Sequence, residues 1–486
     1  MKITKTLSLA VLALFSFQSC NDDNGGDETP INKDIKFANH SKEDQFVKAM
    51  PGFENLEINT LISSTDVLSG SPDFVFAGQP DGMGILKDPN SDGYLMITNH
   101  EITQSVSRVF LDKTFKPVKG EYIVNGIGGM TRLCSATLAT PEIHGFSAFL
   151  TAGESGQESM VHAINPTAPA DPSNKSRVKP ALGKASMENA VPLPKDVSNG
   201  KTYIMIGEDQ SYSSSHQSAG QLVMYVSNTQ GDLDNGKLYA LKAKSGKIWE
   251  TEMTKGNSYD VEFVEIPNAK NLTGAEINQK NIDNGVIRFS RVEDVDYRKG
   301  KGNGREIYFV ATGESSDGVN PKQGLTMWGR LYKLVLDQNN MLTGKLEVVA
   351  EGDSNAGKDL INPDNVAVTE NFVYIQEDGD SYYPAATHDS YIWQYSIGTK
   401  QYKPWLNMRN NDPAIKPKYN TMTDKYGAWE YGAMEDISDL VGVPGTFMVN
   451  IHSHTWQSDK FVDADKAGVN KNKEGGQIVV IRNVQR

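Results

Sequence analysis

The sequence predicts an all-β fold: a β-propeller, read as six-bladed, with long inserted loops and a metal cluster at its central channel. Three observations predict it. Six short apolar runs each end at a Glu, Asp or His and recur along nearly the whole chain. A ligand-capable or polar residue precedes the end of each run by a similar distance. Glycine is abundant, turn dipeptides are frequent, and long helical periodicity is scarce.

The runs are Tyr94–Glu101, Phe149–Glu154, Tyr203–Asp209, Ile307–Glu314, Val373–Asp378 and Phe447–His454. Asp81 stands 19 residues before His100, Cys134 20 before Glu154, Glu188 20 before Glu208, and Glu293 19 before Thr312. Asp364 stands 13 before Glu377, and Glu435 17 before His452. Two neighbouring strands per repeat would give such spacing. In a propeller the innermost strands line the channel, so their polar ends converge. Loop lengths vary enough that five or seven blades also fit. The tail, Gly476–Arg482, reads as a strand that closes the ring against an N-terminal strand such as Asp73–Ala77 and removes open edges. Short helices are expected near Glu276–Asn281 and Glu435–Leu440.

The N-terminus reads as a targeting segment. Lys2 and Lys5 precede an apolar run, Leu7 to Phe17, that ends at Ser19-Cys20. This is an export signal with a loose lipobox, so residues 1–19 are assigned as a lipoprotein signal peptide and Cys20 as the lipidated residue. The alternative is an ordinary cleaved signal. Residues 20–35 read as a flexible acidic tether and residues 36–486 as a single propeller domain. The expected location is the outer membrane, facing the periplasm or the cell surface, with membrane contact only through the lipid. Net charge is −13, which argues against unassisted nucleic-acid binding. A monomer is expected. The chain has two Cys. With Cys20 lipidated, Cys134 has no partner and reads as buried packing or as a metal ligand.

The carboxylates carry the chemistry. Candidates are Glu154, Glu188, Glu208, Asp209, Glu293, Asp294, Asp364, Glu377, Asp378, Glu435 and Asp436. Gathering like charges in apolar surroundings is costly unless cations compensate. Oxygen-only clusters suit Ca²⁺ or Mg²⁺, and a thiolate such as Cys134 suits Fe or Zn. Arg291 precedes Glu293 by two residues, so a strand would put both on one face. It reads as a grip for phosphate or carboxylate, or as a salt bridge to Glu293. His100, His452 and His454 are strand-end residues, expected to hydrogen-bond in the channel rather than to ligate. The chain shows no nucleophile elbow, Walker loop or dinucleotide fingerprint.

In order, these motifs resemble the PhoX-type alkaline phosphatases, from about Asp81 to about His454. The carriers are Gly128-Gly-Met-Thr-Arg-Leu-Cys134, Leu150–Glu154, Met187-Glu188-Asn-Ala190, Gly207-Glu208-Asp209 and Phe289-Ser-Arg291-Val-Glu293. Arg305–Thr312, Pro363-Asp364-Asn365, Glu377-Asp378 and Phe447–His452 follow. Ala152-Gly153, Asn189 and Ser453-His454-Thr455 depart from the family pattern. The resemblance implies a divergent, exported, metal-dependent hydrolase of small phosphate esters. Several Ca²⁺ and one or two Fe³⁺ would form its cluster. Cys134 would bind iron. Glu154, Glu188, Glu208, Glu293, Asp364, Glu377, Asp378 and Glu435 would supply metal ligands. Arg291 and Glu293 would be catalytic. Two rivals stand beside it. One is a non-catalytic, calcium-stabilised propeller lipoprotein that binds a ligand or partner through the loops at 160–200, 210–245 and 400–430. The other is a lactonase-like calcium hydrolase.

Overall fold

The computed structural model describes residues 32–355, 358–379 and 383–486. The proposed signal peptide, Cys20 and most of the tether lie outside these residues. The architecture is all-β and propeller-like: four small sheets and one sheet of nine strands. Each repeat opens with a short strand facing the axis. These first strands are Pro80–Lys87, Leu133–Ala139, Met187–Pro192, Val292–Tyr297, Pro363–Val368 and Glu430–Asp436. Each contacts the next in order, and the last contacts the first, so the ring closes. The nine-stranded sheet is two successive repeats joined at their outer strands, Ser258–Ile266 and Thr343–Glu351.

The tail strand, Glu474–Arg482, does close the ring, but against a different partner from the one expected. It lies between Phe447–Gln457 and Glu57–Ser63. Asp73–Ala77 forms no strand. Its alternating Phe74 and Phe76 are buried instead as plugs, with Phe76 edge-on to the His100 ring. The helix expected near Glu276 runs over Gly274–Asn284 and is set by a capping box between Thr273 and Glu276. Glu435 and Asp436, expected in a helix, end the strand Glu430–Asp436; only the single turn Ser438–Val441 is helical. Cross-strand pairing to Phe447 and Met448 overrides the local helical pattern there.

One irregularity recurs in all six first strands. Register slips between Pro80 and Met83, Leu133 and Ala136, and Met187 and Ala190. It slips again between Val292 and Val295, Pro363 and Val366, and Tyr431 and Met434. Each slip is a β-bulge in which two residues oppose one, which re-aims side chains off the regular alternation. The first bulge residues are Asp81, Cys134, Glu188, Glu293, Asp364 and Gly432. Amides opposite three bulges tie each repeat to the next. Asn99 donates to the Cys134 carbonyl, Gln376 to the Gly432 carbonyl, and Asn450 to the Asp81 carbonyl at 2.5 Å. Apolar packing does the rest; between the two repeats of the nine-stranded sheet, for example, Phe289, Phe309 and Tyr332 are wholly buried against one another, with Phe309 and Tyr332 stacked at 4.8 Å.

Candidate metal centre

The bulges gather one continuous acidic centre at one end of the channel. Donor atoms of Asp81, Cys134 and Glu188 lie within 4.8 Å of one another, as do those of Glu188, Glu293 and Asp364. Glu101, Cys134 and Glu154 form a third such group. Shared Cys134 and Glu188 link the three. The sixth bulge residue is Gly432. A Cβ there would meet the Pro80 carbonyl at 2.6 Å and His452 Nε2 at 2.9 Å. The sixth repeat thus sends in an imidazole from its second strand in place of a bulge side chain. A fourth group, Glu430, His452 and His454, adjoins it.

The electrostatics of these groups follow from burial. Asp81, Glu188, Glu293 and Asp364 are held well above the usual carboxylate range, first by desolvation and then by neighbouring carboxylates: Glu101 and Glu430 for Asp81, Glu293 for both Glu188 and Asp364, and Asp209 and Asp378 for Glu293. Arg291 pulls Glu293 the other way without prevailing. Burial, then Asp209 and Glu101, push Glu154 up to about 8. The Cys134 thiol is pushed well up by burial and by Glu188 and Glu154; its Sγ lies 3.8 Å from Glu154 Oε2. Asp81 Oδ1 is buried with no hydrogen-bond partner. A buried carboxyl oxygen left without a partner costs stability that a cation would return. The donor set is carboxylate oxygen plus one sulfur. It fits hard cations together with one thiophilic metal, so the residues present fit an iron–calcium group.

Consecutive strand-end residues divide by direction. Glu208 turns from the centre to accept from His216 Nε2 at 3.0 Å. Glu377 is wholly buried and accepts from Trp393 Nε1 at 2.7 Å and the Ile361 and Tyr391 amides at 2.9 and 2.7 Å, with His388 Nε2 at 3.1 Å. Their neighbours Asp209 and Asp378 face Arg291 instead, at 2.8 and 3.8 Å. Alternation along a strand produces this split. Glu208 and Glu377 therefore sit outside the four donor groups, and Asp378 joins the centre through Arg291. Glu435 lies farther along its strand beside Lys299 and Asp296, where burial pushes it up to about 8. Five residues earlier on the same strand, Glu430 occupies the place the spacing argument gave to Glu435.

Arg291 ion-pairs with Glu293, as the local sequence allowed, but not across a regular strand. It precedes the strand at φ 63°, a left-handed conformation that costs a non-glycine residue about 1–2 kcal/mol. Asp209, Glu293 and Asp378 hold it there. Its side chain is 22 % exposed and opens onto a pocket of about 400 Å³. Tyr383, Lys322, Ser211 and the 313–318 loop line that pocket. Lys322 is bound by Glu314 and by the Tyr212 carbonyl at 3.0 Å. A cationic fork thus stands between buried carboxylates and open solvent.

Sequence reasoning did not single out Glu101 or Glu430 as donors. Glu101 accepts from Arg132 at 2.9 Å, and Glu430 Oε1 meets His452 Nδ1. The legible signal for Glu101 was its place beside His100 at a strand end. Glu430 followed Trp429 with nothing local to mark it. Nor did local sequence mark Glu250, buried and bound by Ser290, Thr326 and Tyr332.

Comparisons with known proteins bear on the fold and the family. PhoX of Pseudomonas fluorescens, solved with vanadate, a transition state analogue, superposes with a TM-score of 0.58 at 14 % identity, covering 93 % of this chain and 98 % of that one. An α-L-arabinofuranosidase of Fusarium graminearum reaches a TM-score of 0.41 at 12 % identity, over 87 % and 98 % of the two chains. No curated protein matches in sequence. The profile of the family described as alkaline phosphatase PhoX matches residues 142–401, more than half of the sequence, and the chain belongs to that family.

Proposed function

We propose that the chain is a metal-dependent phosphatase that hydrolyses small phosphate esters outside the cytoplasm. One observation carries this reading. A pinned guanidinium, Arg291, bridges a buried carboxylate–thiol centre and an open pocket. Asp81, Cys134, Glu188, Glu293 and Asp364, with Glu101 and Glu154, would hold the metals, Cys134 taking iron and the carboxylates calcium. When bound, that group supplies positive charge for the transferring phosphoryl oxygens and a water activated at neutral pH.

The chain's own residues do the rest. Arg291 orients the phosphoryl group through its planar fork. Asp209 and Asp378 keep that fork aimed. Glu293 couples it to the centre, since one carboxylate meets both Arg291 and the Glu188–Asp364 group. Lys322 and Tyr383 line the approach. The Pseudomonas relative was solved with vanadate, a transition state analogue, which is in keeping with a phosphatase reading.

Six blades, two of them sharing the nine-stranded sheet, are the reading we favour for the closed ring. Residues 36–486 would form one propeller domain, carried on the tether 20–35 from a lipid on Cys20 after removal of residues 1–19. The protein would be an outer-membrane lipoprotein, monomeric, touching the membrane through its lipid alone. Among the described residues no helix is long and apolar enough to cross a membrane. The rival, a calcium-stiffened binding propeller, leaves the buried Cys134 thiol at the centre unexplained.

Glu293→Gln tests the proposal: turnover of an aryl phosphate should vanish while the melting transition survives. Turnover at the wild-type level would remove Glu293 from the machinery.

A further inference from the structure

The strand Phe447–Gln457 places His452 and His454 two residues apart, and register puts Glu430 directly opposite His452. His452 Nδ1 bonds Glu430 Oε1, and His454 Nε2 lies 3.5 Å from the same oxygen. The three donor atoms lie within 4.8 Å of one another. Each imidazole is also engaged at its outer nitrogen. His452 Nε2 is 2.9 Å from the Pro80 carbonyl. A carbonyl only accepts, so Nε2 carries a proton and the neutral ring turns its Nδ1 lone pair toward Glu430. His454 Nδ1 is 3.0 Å from Glu474 Oε2, and Gln79 donates to that carboxylate at 2.7 Å. Gln79 Nε2 also lies 3.1 Å from His454 Nδ1, but its amide is already given to Glu474, and a carboxylate can only accept from the ring, so Glu474 favours the Nδ1–H tautomer of His454 and turns Nε2 inward. A carbonyl behind one ring and a carboxylate behind the other is how proteins orient metal-ligating imidazoles.

Gly432 supports the same point from the facing strand, since it keeps the space beside His452 bare. Glu101 Oε2 stands 4.0 Å from His452 Nδ1, within reach as a further oxygen donor.

We infer that Glu430, His452 and His454 form a separate site for a borderline divalent transition ion, of which Zn²⁺ is the reference. Two imidazoles and a carboxylate suit such an ion and disfavour calcium. The site adjoins the carboxylate–thiol centre through Glu101 but shares none of its bulge residues. The inference stands whether or not the chain is a phosphatase.

The test is equilibrium dialysis of the purified protein against Zn²⁺ with calcium in excess, followed by metal analysis. Wild type should retain one zinc that His454→Ala loses. Glu474→Gln, which leaves all three donors in place, should weaken zinc by about 10–100-fold. Cys134→Ser should keep this zinc. Co²⁺ in place of zinc should give a visible ligand-field spectrum that His454→Ala abolishes. Calcium content unchanged in both His454→Ala and Glu474→Gln would show that they fold. Equal zinc binding in wild type and His454→Ala, no zinc in wild type, or zinc lost only with Cys134 would overturn the site.

Discussion

Arg291 combines a backbone conformation that disfavours a side chain with contacts to three carboxylates. That combination persists only where the surroundings over-determine it, which is typical of functional positions. Lysine would keep the charge and lose the fork. Arg291→Lys should therefore lower kcat for an aryl phosphate by about 10²–10³-fold, with little change in the melting temperature. A wild-type kcat would show that Arg291 is a structural bridge between Asp209 and Glu293. Much of this site was legible as residues. Cys134, Glu154, Glu188, Glu293 and Asp364 meet as their order along the chain suggested. Glu208 and Glu377 were not separable from Asp209 and Asp378, because direction on a strand depends on register. His216 and His388, their partners, lie eight and eleven residues away in loops, and spacing alone carries no pairing information.

At the scale of the element, the recurring bulge explains both the successes and the misplacements. It puts a donor near the start of five of the six first strands, which is why a count back from the strand ends found those five. In the sixth repeat the position is Gly432, so the count passed over it to Glu435. Nothing in Trp429-Glu430-Tyr431-Gly432 announces that a second-strand histidine fills the gap. Gly432→Ala tests this. Its Cβ would press on the Pro80 carbonyl, Asp81 Cα and His452. Overpacking there should cost about 1–3 kcal/mol and displace His452. Gly398, which has open space around its Cβ position, should accept Ala without loss. Equal melting temperatures for the two variants would contradict the tight fit. The closing strand teaches a related lesson. The tail pattern was plain, but its partner was read as Asp73–Ala77; the tail pairs with Glu57–Ser63 instead, while Phe74 and Phe76 are buried outside any strand.

Across the whole molecule, the acidic centre links metal binding to stability. In the metal-free protein Glu154 and Glu435 are raised from an ordinary 4.5 to about 8, chiefly by burial. As pH rises through this window the unfolded chain releases these protons first, and the folded chain still holds them. The folded state binds more protons, so its stability falls between about pH 4.5 and 8. Chelated protein should show a melting temperature that declines over that range, and added metal should reverse the part owed to Glu154, a donor of the centre, but not the part owed to Glu435, which lies outside it. A melting temperature that rises with pH after chelation would contradict the burial of these groups without compensation. The closed ring makes the consequence global, because every repeat contributes a strand to the channel.

The most direct test of the central claim is metal analysis of the purified protein with aryl phosphate hydrolysis measured on the same sample. The account predicts calcium and iron together, with turnover that a chelator removes and the two metals restore. Calcium alone, with no turnover before or after iron is supplied, would contradict it and leave a calcium-stiffened binding protein on a phosphatase fold.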